Sequence, residues 1–202
     1  NMSVYVADLI KKPLFLEEKK GLSAAERGTI LHFIMQHLDL SFPVGVQNCH
    51  VTSSEIAKQT ESMVTRNLIT QKQAGSVDIN KIALFFDSPL GRRMLAAKSI
   101  NREVPFNMEI PCSELYTDLA GQGCNGETVL LQGVIDCYFE EPDGIVLIDY
   151  KTDYAPPNKQ GLLRNRYKLQ ISYYVRALEM LTGKQVKEKY IYLFWNGEVL
   201  AM

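Results

Sequence analysis

The stretch GVIDCYFEEPDGIVLIDYK, residues 133–151, predicts a β-hairpin in which charged side chains interrupt two apolar strands. The runs 128–139 and 145–151 are rich in β-branched and aromatic residues, as strands are. Between them, Glu-Pro-Asp-Gly at 141–144 has the composition of a tight turn. The hairpin is therefore the part of the sheet on which the rest of the fold can be placed.

Two registers of this hairpin are open, and both bring three charged residues together. If the turn closes through residues 142–143, Asp136 lies opposite Asp149; if it closes through 143–144, Asp136 lies opposite Lys151. Opposed residues share a face, and strand side chains alternate with period two. In either register, Asp136, Asp149 and Lys151 are predicted on one face.

The two carboxylates predict a site for a divalent cation. Opposed Cβ atoms lie about 4.5 to 5.5 Å apart, where two ionised carboxylates repel each other. Hard carboxylate oxygens suit Mg²⁺ or Mn²⁺, and Lys151 would add a positive group beside the metal. The alternative is a cross-strand ion pair of Asp136 with Lys151 on a solvated face. Ile135 and Ile148 indicate a buried sheet, which favours the metal, because buried charges need compensation.

Outside the hairpin, the first half of the chain predicts helices and the second half predicts strands and one long helix. Ser23 and Glu26 form a capping box ahead of a helix over 24–39, and Ser53 or Ser54 begins a second helix. The other predicted elements are a third helix after Pro89, a strand from Glu103, a helix with Leu169, Tyr173, Ala177 and Met180 on one face, ended by Gly183, and a last strand over 190–195. The aromatic residues of that last strand predict packing at the core and edge rather than a platform for nucleobases.

Five short motifs occur in a fixed order along the chain. They are Gly28-Thr29-Ile-Leu-His32, Arg102-Glu103-Val-Pro105-Phe106, Gly133-Val-Ile-Asp136, Asp149-Tyr-Lys151-Thr-Asp153 and Gln170-Ile-Ser-Tyr173-Tyr174. Together they resemble the motifs of RecB-like members of the PD-(D/E)xK nuclease superfamily. The resemblance implies an α/β fold with a restriction-endonuclease-like core: a central mixed β-sheet flanked by helices, with an N-terminal helical part. Residues 21–202 would form this single domain, and residues 1–20 a connecting arm.

The resemblance also implies a metal site for magnesium or manganese and assigns its ligands: His32, Asp136, Asp149 and the backbone carbonyl of Tyr150. Lys151 is the implied catalytic group, acting with Asp149 and Asp136. Without its motif, His32 would be taken for a packed or surface histidine.

Five further residues are predicted to contact the substrate or to support the site: Gln170, Tyr174, Glu103, Thr29 and Arg166. Gln170 and Tyr174 are four residues apart, so they lie on the same face of the last helix. Glu103 could equally be a solvent-facing strand residue. Arg166 belongs to a group of basic residues that could bind phosphates.

Composition limits the class of protein. The chain has 202 residues, 46% of them hydrophobic, which is enough for one domain with a sizeable core. Its net charge of -1 gives no indication of a polyanion partner. Its four cysteines are widely spaced, which favours reduced thiols in a cytoplasmic protein. No cysteine follows Cys137, which argues against the iron-sulfur cluster that some relatives carry. No apolar run is long enough to span a membrane.

The remaining motifs favour the AddA-like or RecB-like branch of the superfamily. That branch implies an exonuclease domain within an ATP-dependent helicase-nuclease, acting on single-stranded DNA beside an AddB-like subunit during repair and recombination. This chain has no GxxxxGK[ST] motif, so the nucleotide would bind elsewhere in the parent protein. Two alternatives stay open: a non-catalytic module that binds DNA or a partner subunit, and a stand-alone structure-specific endonuclease.

Overall fold

A computed structural model of the chain describes residues 21–41, 51–115, 126–154 and 160–202. Its five-stranded sheet has the order β1-β2-β3-β4-β5, with β3 and β4 parallel and the other neighbours antiparallel. The strands are β1 Ile100–Pro111, β2 Thr128–Glu141, β3 Gly144–Lys151, β4 Val186–Leu193 and β5 Glu198–Ala201. The helices are α1 Ala24–His37, α2 Ser53–Thr65, α3 Gln71–Ala74, α4 Ile79–Asp87, α5 Pro89–Ala96, α6 Cys112–Leu115 and α7 Gln160–Thr182. The predicted α/β class with a mixed sheet is confirmed.

The sheet separates two cores. On one side, residues of α1, α2, α4 and α5 pack against β2 and β3, with Ile34, Ile56, Phe85 and Tyr150 all buried. On the other side, α7 packs against all five strands. The prediction of a sheet flanked by helices with a helical N-terminal part is confirmed. The helices lie on both faces of the sheet because each apolar helix face is buried against an apolar sheet face.

The β2–β3 hairpin closes through Pro142 and Asp143. Glu141 pairs with Gly144, and the register continues to Cys137 opposite Ile148. The first of the two predicted registers is therefore confirmed.

The alternation of side chains in β2 breaks at Asp136, which corrects the prediction of uninterrupted period two. Ile135 and Tyr138 both face the α7 core, although they are three residues apart, and Cys137 between them faces the helical core. In β1, Glu103 is in line with Asp136 and has φ 50, in the left-handed region that non-glycine residues rarely adopt. The ladder between β1 and β2 omits this one pair. The kink turns Asp136 and Glu103 out of the regular pleat.

Several element boundaries differ from the sequence predictions. The N-cap of α2 is Thr52, since its side chain accepts a hydrogen bond from the Glu55 backbone. The sequence did not predict α4 or β5. On α7, Leu169 and Met180 are exposed, and the buried face instead includes Tyr174. The apolar residues of α7 are compatible with more than one buried helix face, and packing against the sheet determines which face is buried.

Some predictions concern residues outside the described ranges: the connecting arm at 1–20, and Cys49 and Cys124 among the four cysteines. The other two, Cys112 and Cys137, are buried thiols. Among the described helices, none is both long and apolar enough to cross a membrane.

Candidate active site

The predicted charged residues meet at the edge where the parallel strands β3 and β4 end. Asp149 is fully buried near the end of β3, and Asp136 of β2 is almost fully buried. The backbone N–H of Tyr150 donates a hydrogen bond of 2.7 Å to Asp136 Oδ2, which ties the two strands together at this point. The site is therefore built on rigid sheet backbone, with α1 on one side and α7 on the other.

Three potential metal ligands converge on the α1 side. His32 Nδ1 lies 3.4 Å from Asp136 Oδ1 and 3.6 Å from Glu103 Oε1. One ligand atom from each residue lies within 4.8 Å of the other two. Burial lowers the pKa of His32, but the hydrogen bond and charge of Asp136 outweigh it and the pKa is raised. Burial, followed by the charge of Asp136, raises the pKa of Glu103.

Asp149 and Lys151 form a second, more buried group on the α7 side. Lys151 Nζ lies 2.7 Å from Asp149 Oδ2, an ion-pair distance, but no aligned hydrogen bond reaches this fully buried oxygen. Gln170 Nε2 donates to Asp149 Oδ1 at 3.4 Å and to the Tyr174 hydroxyl at 2.7 Å. Burial, and next the charge of Asp136, raise the pKa of Asp149 to about 7.

These residues fit a divalent cation. Asp149 is fully buried, and burial and the charge of Asp136 raise its pKa even with Lys151 beside it, so a further positive charge between these carboxylates would favour their ionised forms. Carboxylates with one imidazole are a donor set that Mg²⁺ or Mn²⁺ accepts. The structure groups Glu103, rather than Asp149, with His32 and Asp136. Glu103 was expected to touch DNA or support the site, so its place beside the ligands is a finding of the structure.

The position of α1 depends on two contacts at its ends. Arg102 Nη1 donates to the carbonyls of Met35 and Leu38, both at 2.8 Å, and so caps the C-terminal end of the helix. Near the other end, a Cβ at Gly28 would lie only 3.2 Å from Thr152 Oγ1. The glycine therefore allows α1 to approach the end of β3, one helical turn before His32.

A glycine in β2 has a similar role on the α7 side. A Cβ at Gly133 would lie 2.7 Å from the ring of Phe106, which crosses the strand at this point. That ring meets Tyr174 edge to face, with centroids 5.7 Å apart. The aromatic contact supports Tyr174, and through it Gln170 beside Asp149.

Two predicted substrate contacts make other interactions. The Thr29 hydroxyl donates to the Ala25 carbonyl of its own helix at 3.2 Å. Arg166, whose side chain is mostly exposed, binds Asp153 at 3.2 Å. Both residues are exposed to solvent near the site rather than part of its buried groups.

Comparison with known proteins identifies the family. The sequence model of the family described as PD-(D/E)XK nuclease superfamily matches residues 4–199. The chain belongs to the PD-(D/E)XK nuclease superfamily.

The curated relatives are much longer proteins. The chain is 63% identical to the A-type subunit of the ATP-dependent helicase/nuclease of Acetivibrio thermocellus, over 98% of this chain and 15% of the relative. It is 52% identical to the protein of the same name from Ruminiclostridium cellulolyticum, again over 98% of this chain and 15% of the relative. Their shared name confirms the resemblance to the AddA-like branch. A solved structure described as SSO0001 overlaps 88% of this chain and 74% of its own, at a TM-score of 0.37 and 13% identity.

The sequence did not predict the place of Tyr167 beside Lys151, and Asp153 was expected only as the last residue of the motif that begins at Asp149. Lys151 Nζ lies 4.7 Å from the ring centroid of Tyr167, within range of a cation–π contact. The Tyr167 hydroxyl donates to Asp153 Oδ2 at 2.9 Å. Burial first, and this hydrogen bond second, raise the pKa of Tyr167 to about 12. The spacing of Tyr167, Gln170 and Tyr174 at i, i+3 and i+7 was the signal for one shared helix face.

Removing the Tyr167 ring is expected to slow DNA cleavage by about tenfold, because a cation–π contact contributes ~1–2 kcal/mol to the placement of the Lys151 ammonium. Tyr167→Leu should lower kcat more than it changes KM, and Tyr167→Phe, which keeps the ring, should restore most of the rate. Single-turnover cleavage of a labelled oligonucleotide measures both, with Leu162→Ala as a control at an exposed position of α7. If Tyr167→Phe were as slow as Tyr167→Leu, the hydroxyl and Asp153 would matter instead of the ring.

Proposed function

We propose that this chain is a divalent-metal-dependent deoxyribonuclease domain that hydrolyses phosphodiester bonds of DNA, with Asp136, Asp149 and Lys151 as its catalytic residues. The observation that carries the proposal is the buried Asp149–Lys151 pair beside the cluster of His32, Glu103 and Asp136. Membership of a nuclease superfamily supports it.

The proposed metal is Mg²⁺, or Mn²⁺ in its place. We also propose that this domain does not bind an iron-sulfur cluster. The proposed ligands are His32, Asp136, Asp149 and the backbone carbonyl of Tyr150, with Glu103 as a further ligand or a partner of His32. When bound, the metal would activate water and stabilise the charge that develops on the scissile phosphate. His32 must be neutral to act as a ligand, so metal binding would displace the proton that Asp136 favours on this histidine.

The protein's own groups have separate tasks in this proposal. Asp149 holds the Lys151 ammonium from one side, and the Tyr167 ring contacts it from another. Lys151 can then donate hydrogen bonds to the attacking water or to a phosphoryl oxygen, in a nearly dry site where such contacts are strong.

The remaining residues of the proposal position the reacting groups and bind DNA. Gln170 and Tyr174 orient the Asp149 carboxylate. Thr29 and Arg166 are proposed to contact the DNA backbone from exposed positions on α1 and α7. Arg166 would exchange Asp153 for a phosphate, which suits a guanidinium equally well.

The relatives suggest the setting in which the domain works. The chain spans about 15% of the length of these ATP-dependent helicase/nuclease proteins, so their ATP-dependent activity is a property of longer chains. We propose that the domain acts as an exonuclease in the cytoplasm on single strands delivered by a helicase motor. An AddB-like subunit is the proposed partner, and double-strand-break repair and recombination the proposed processes.

Cleavage of a labelled single-stranded oligonucleotide tests the proposed activity. The chain should cut DNA with Mg²⁺ or Mn²⁺ and stop when EDTA is added. Lys151→Ala should lower the single-turnover rate by about 10²–10³, the usual effect of losing a group that stabilises transition-state charge. Lys72→Ala, at an exposed position of α3, is the matched control.

Two outcomes would contradict the nuclease proposal. The first is cleavage that is independent of metal or equal in the wild type and Lys151→Ala. The second is DNA binding without any cleavage in Mg²⁺ or Mn²⁺, which would favour the alternative of a non-catalytic DNA-binding module.

A further inference from the structure

A small cavity lies beside the proposed nuclease residues, at the ends of β3 and β4. Its volume is about 160 Å³, and its lining includes Arg27, Lys81, Thr152, Phe194 and Trp195. Thr152 directly follows Lys151, and the Phe194 backbone N–H donates to the Lys151 carbonyl at 2.8 Å. Arg27 and Leu31 of the lining belong to α1, which also carries His32, so a ligand bound in the cavity would lie on the α1 side of the site, where the proposed metal ligands converge.

Trp195, which lines this cavity, forms an aromatic pair with Tyr154, which packs against it from outside the lining. The rings of Trp195 and Tyr154 have centroids 4.4 Å apart at an interplanar angle of 61°. Tyr154 is 71% exposed, and Trp195 is half-buried where β4 ends. An exposed tyrosine packed against a tryptophan offers a surface on which a planar ring can stack.

The polar residues of the cavity have an excess of positive charge. Arg27 is exposed on α1 and makes no ion pair with any residue in the described ranges. Lys81 Nζ donates to the Trp195 carbonyl at 3.1 Å, which holds its amino group beside the tryptophan. The acidic residue of the lining, Asp78, caps α4 through the Asn80 backbone N–H at 3.0 Å. Two cations and one engaged carboxylate favour an anionic ligand.

We propose that this cavity is a subsite for one unpaired nucleotide of the DNA strand, adjacent to the scissile phosphate. The base stacks against Tyr154 and Trp195, and the phosphate contacts Arg27 and Lys81. In a duplex each base is already stacked and paired, so the subsite selects single strands. This inference rests on the proposed nuclease function and adds the residues that choose the form of DNA. The expectation that the aromatic residues around β4 serve packing is confirmed for Tyr192 and Phe194, which are buried, and the proposal adds a binding role for Trp195.

The tryptophan itself provides the readout, because Trp195 is the one tryptophan of the chain. With EDTA present to prevent cleavage, titration with an oligothymidylate should quench the Trp195 fluorescence, and a duplex of equal length should quench it much less. Tyr154→Ala should weaken single-strand binding by about tenfold, or ~1.4 kcal/mol, as the loss of one stacked base does. Arg27→Ala should reduce the slope of log affinity against log salt by about one.

Three further variants guard against effects of altered folding. Trp195→Phe, followed by fluorescence anisotropy of a labelled oligonucleotide, should bind more tightly than Trp195→Ala because it keeps a ring. Leu130→Ala, at an exposed position of β2, should bind as the wild type does. Absence of quenching, or unchanged single-strand affinity in Tyr154→Ala, would overturn the subsite.

The titration separates this inference from the nuclease proposal. It requires neither metal nor cleavage, so failed quenching in a chain that still cuts DNA would overturn only the subsite. Quenching in a chain that cuts nothing would support the subsite and contradict the nuclease activity.

Discussion

Asp136→Asn is expected to abolish tight binding of Mn²⁺ and to slow DNA cleavage by about four orders of magnitude, or ~5.4 kcal/mol of transition-state stabilisation. Asp136 contributes an oxygen to the cluster with His32 and Glu103, and its charge acts on Asp149 as well. The asparagine has the same shape and can still accept the hydrogen bond from the Tyr150 backbone. The loss therefore reports the charge of the ligand and not the fold.

Calorimetric titration with Mn²⁺ and single-turnover cleavage measure these two effects. In the metal-free chain, Asp136→Asn should also lower the pKa of His32, since Asp136 supplies the hydrogen bond and charge that raise it. NMR titration of the imidazole detects that change independently of activity. Glu109→Gln, an exposed carboxylate of β1, is the matched control. Unaltered Mn²⁺ affinity in Asp136→Asn would show that the metal site lies elsewhere.

Gly91→Ala is expected to destabilise the chain by about 3 kcal/mol or more, because overpacking against backbone leaves nothing flexible to move aside. A Cβ at Gly91 would lie 2.0 Å from the Phe85 carbonyl oxygen and 2.7 Å from Phe86 Cα. The first turn of α5 crosses the last turn of α4 at this point. Relief would require the two helices to separate, and Phe85 and Met94 would leave the core.

Thermal unfolding followed by circular dichroism measures this prediction. For a chain of this size, 3 kcal/mol lowers Tm by about 10 °C. Gly75→Ala is the matched control: a Cβ there would meet its nearest atom, the Gln71 carbonyl oxygen, at 3.4 Å, and Gly75 has φ -68, which any residue can adopt. It should be neutral or slightly stabilising. Equal Tm values for the two variants would mean that α4 and α5 can separate without loss of packing.

The elements that could be predicted are those whose signals are local. The capping box of Ser23 and Glu26 begins α1 as expected. The hairpin of β2 and β3 and its turn through Pro142 also follow from short-range patterns. In contrast, the sequence did not predict α4, although Asp78 caps its first turn locally; its buried residues pack against α2 and α5.

Most residues of the candidate site could be predicted from the sequence, but their arrangement in space could not. Asp136, Asp149 and Lys151 stand out because strands rarely carry charged residues in apolar surroundings. The sequence could not predict that Glu103 joins His32 and Asp136, because this depends on the left-handed backbone conformation of Glu103 opposite Asp136. Contacts on both sides of the strand hold such a backbone angle, so the two-residue alternation of strand side chains does not predict it.

Chain-local information, meaning residue type, turn chemistry and motif order, was enough to predict the α/β class, the hairpin and the identity of the charged residues, but it left two hairpin registers open, and pairing in the folded sheet selected one of them. Folding in three dimensions settled which side chains meet: Glu103 with His32, Tyr167 beneath Lys151, and the aromatic pair of Tyr154 and Trp195 at the neighbouring cavity. The physical reason is that hydrogen bonding and turn formation act between near neighbours, whereas these contacts join residues far apart in sequence. Their formation depends on how α1, α7 and β4 dock around the end of β3.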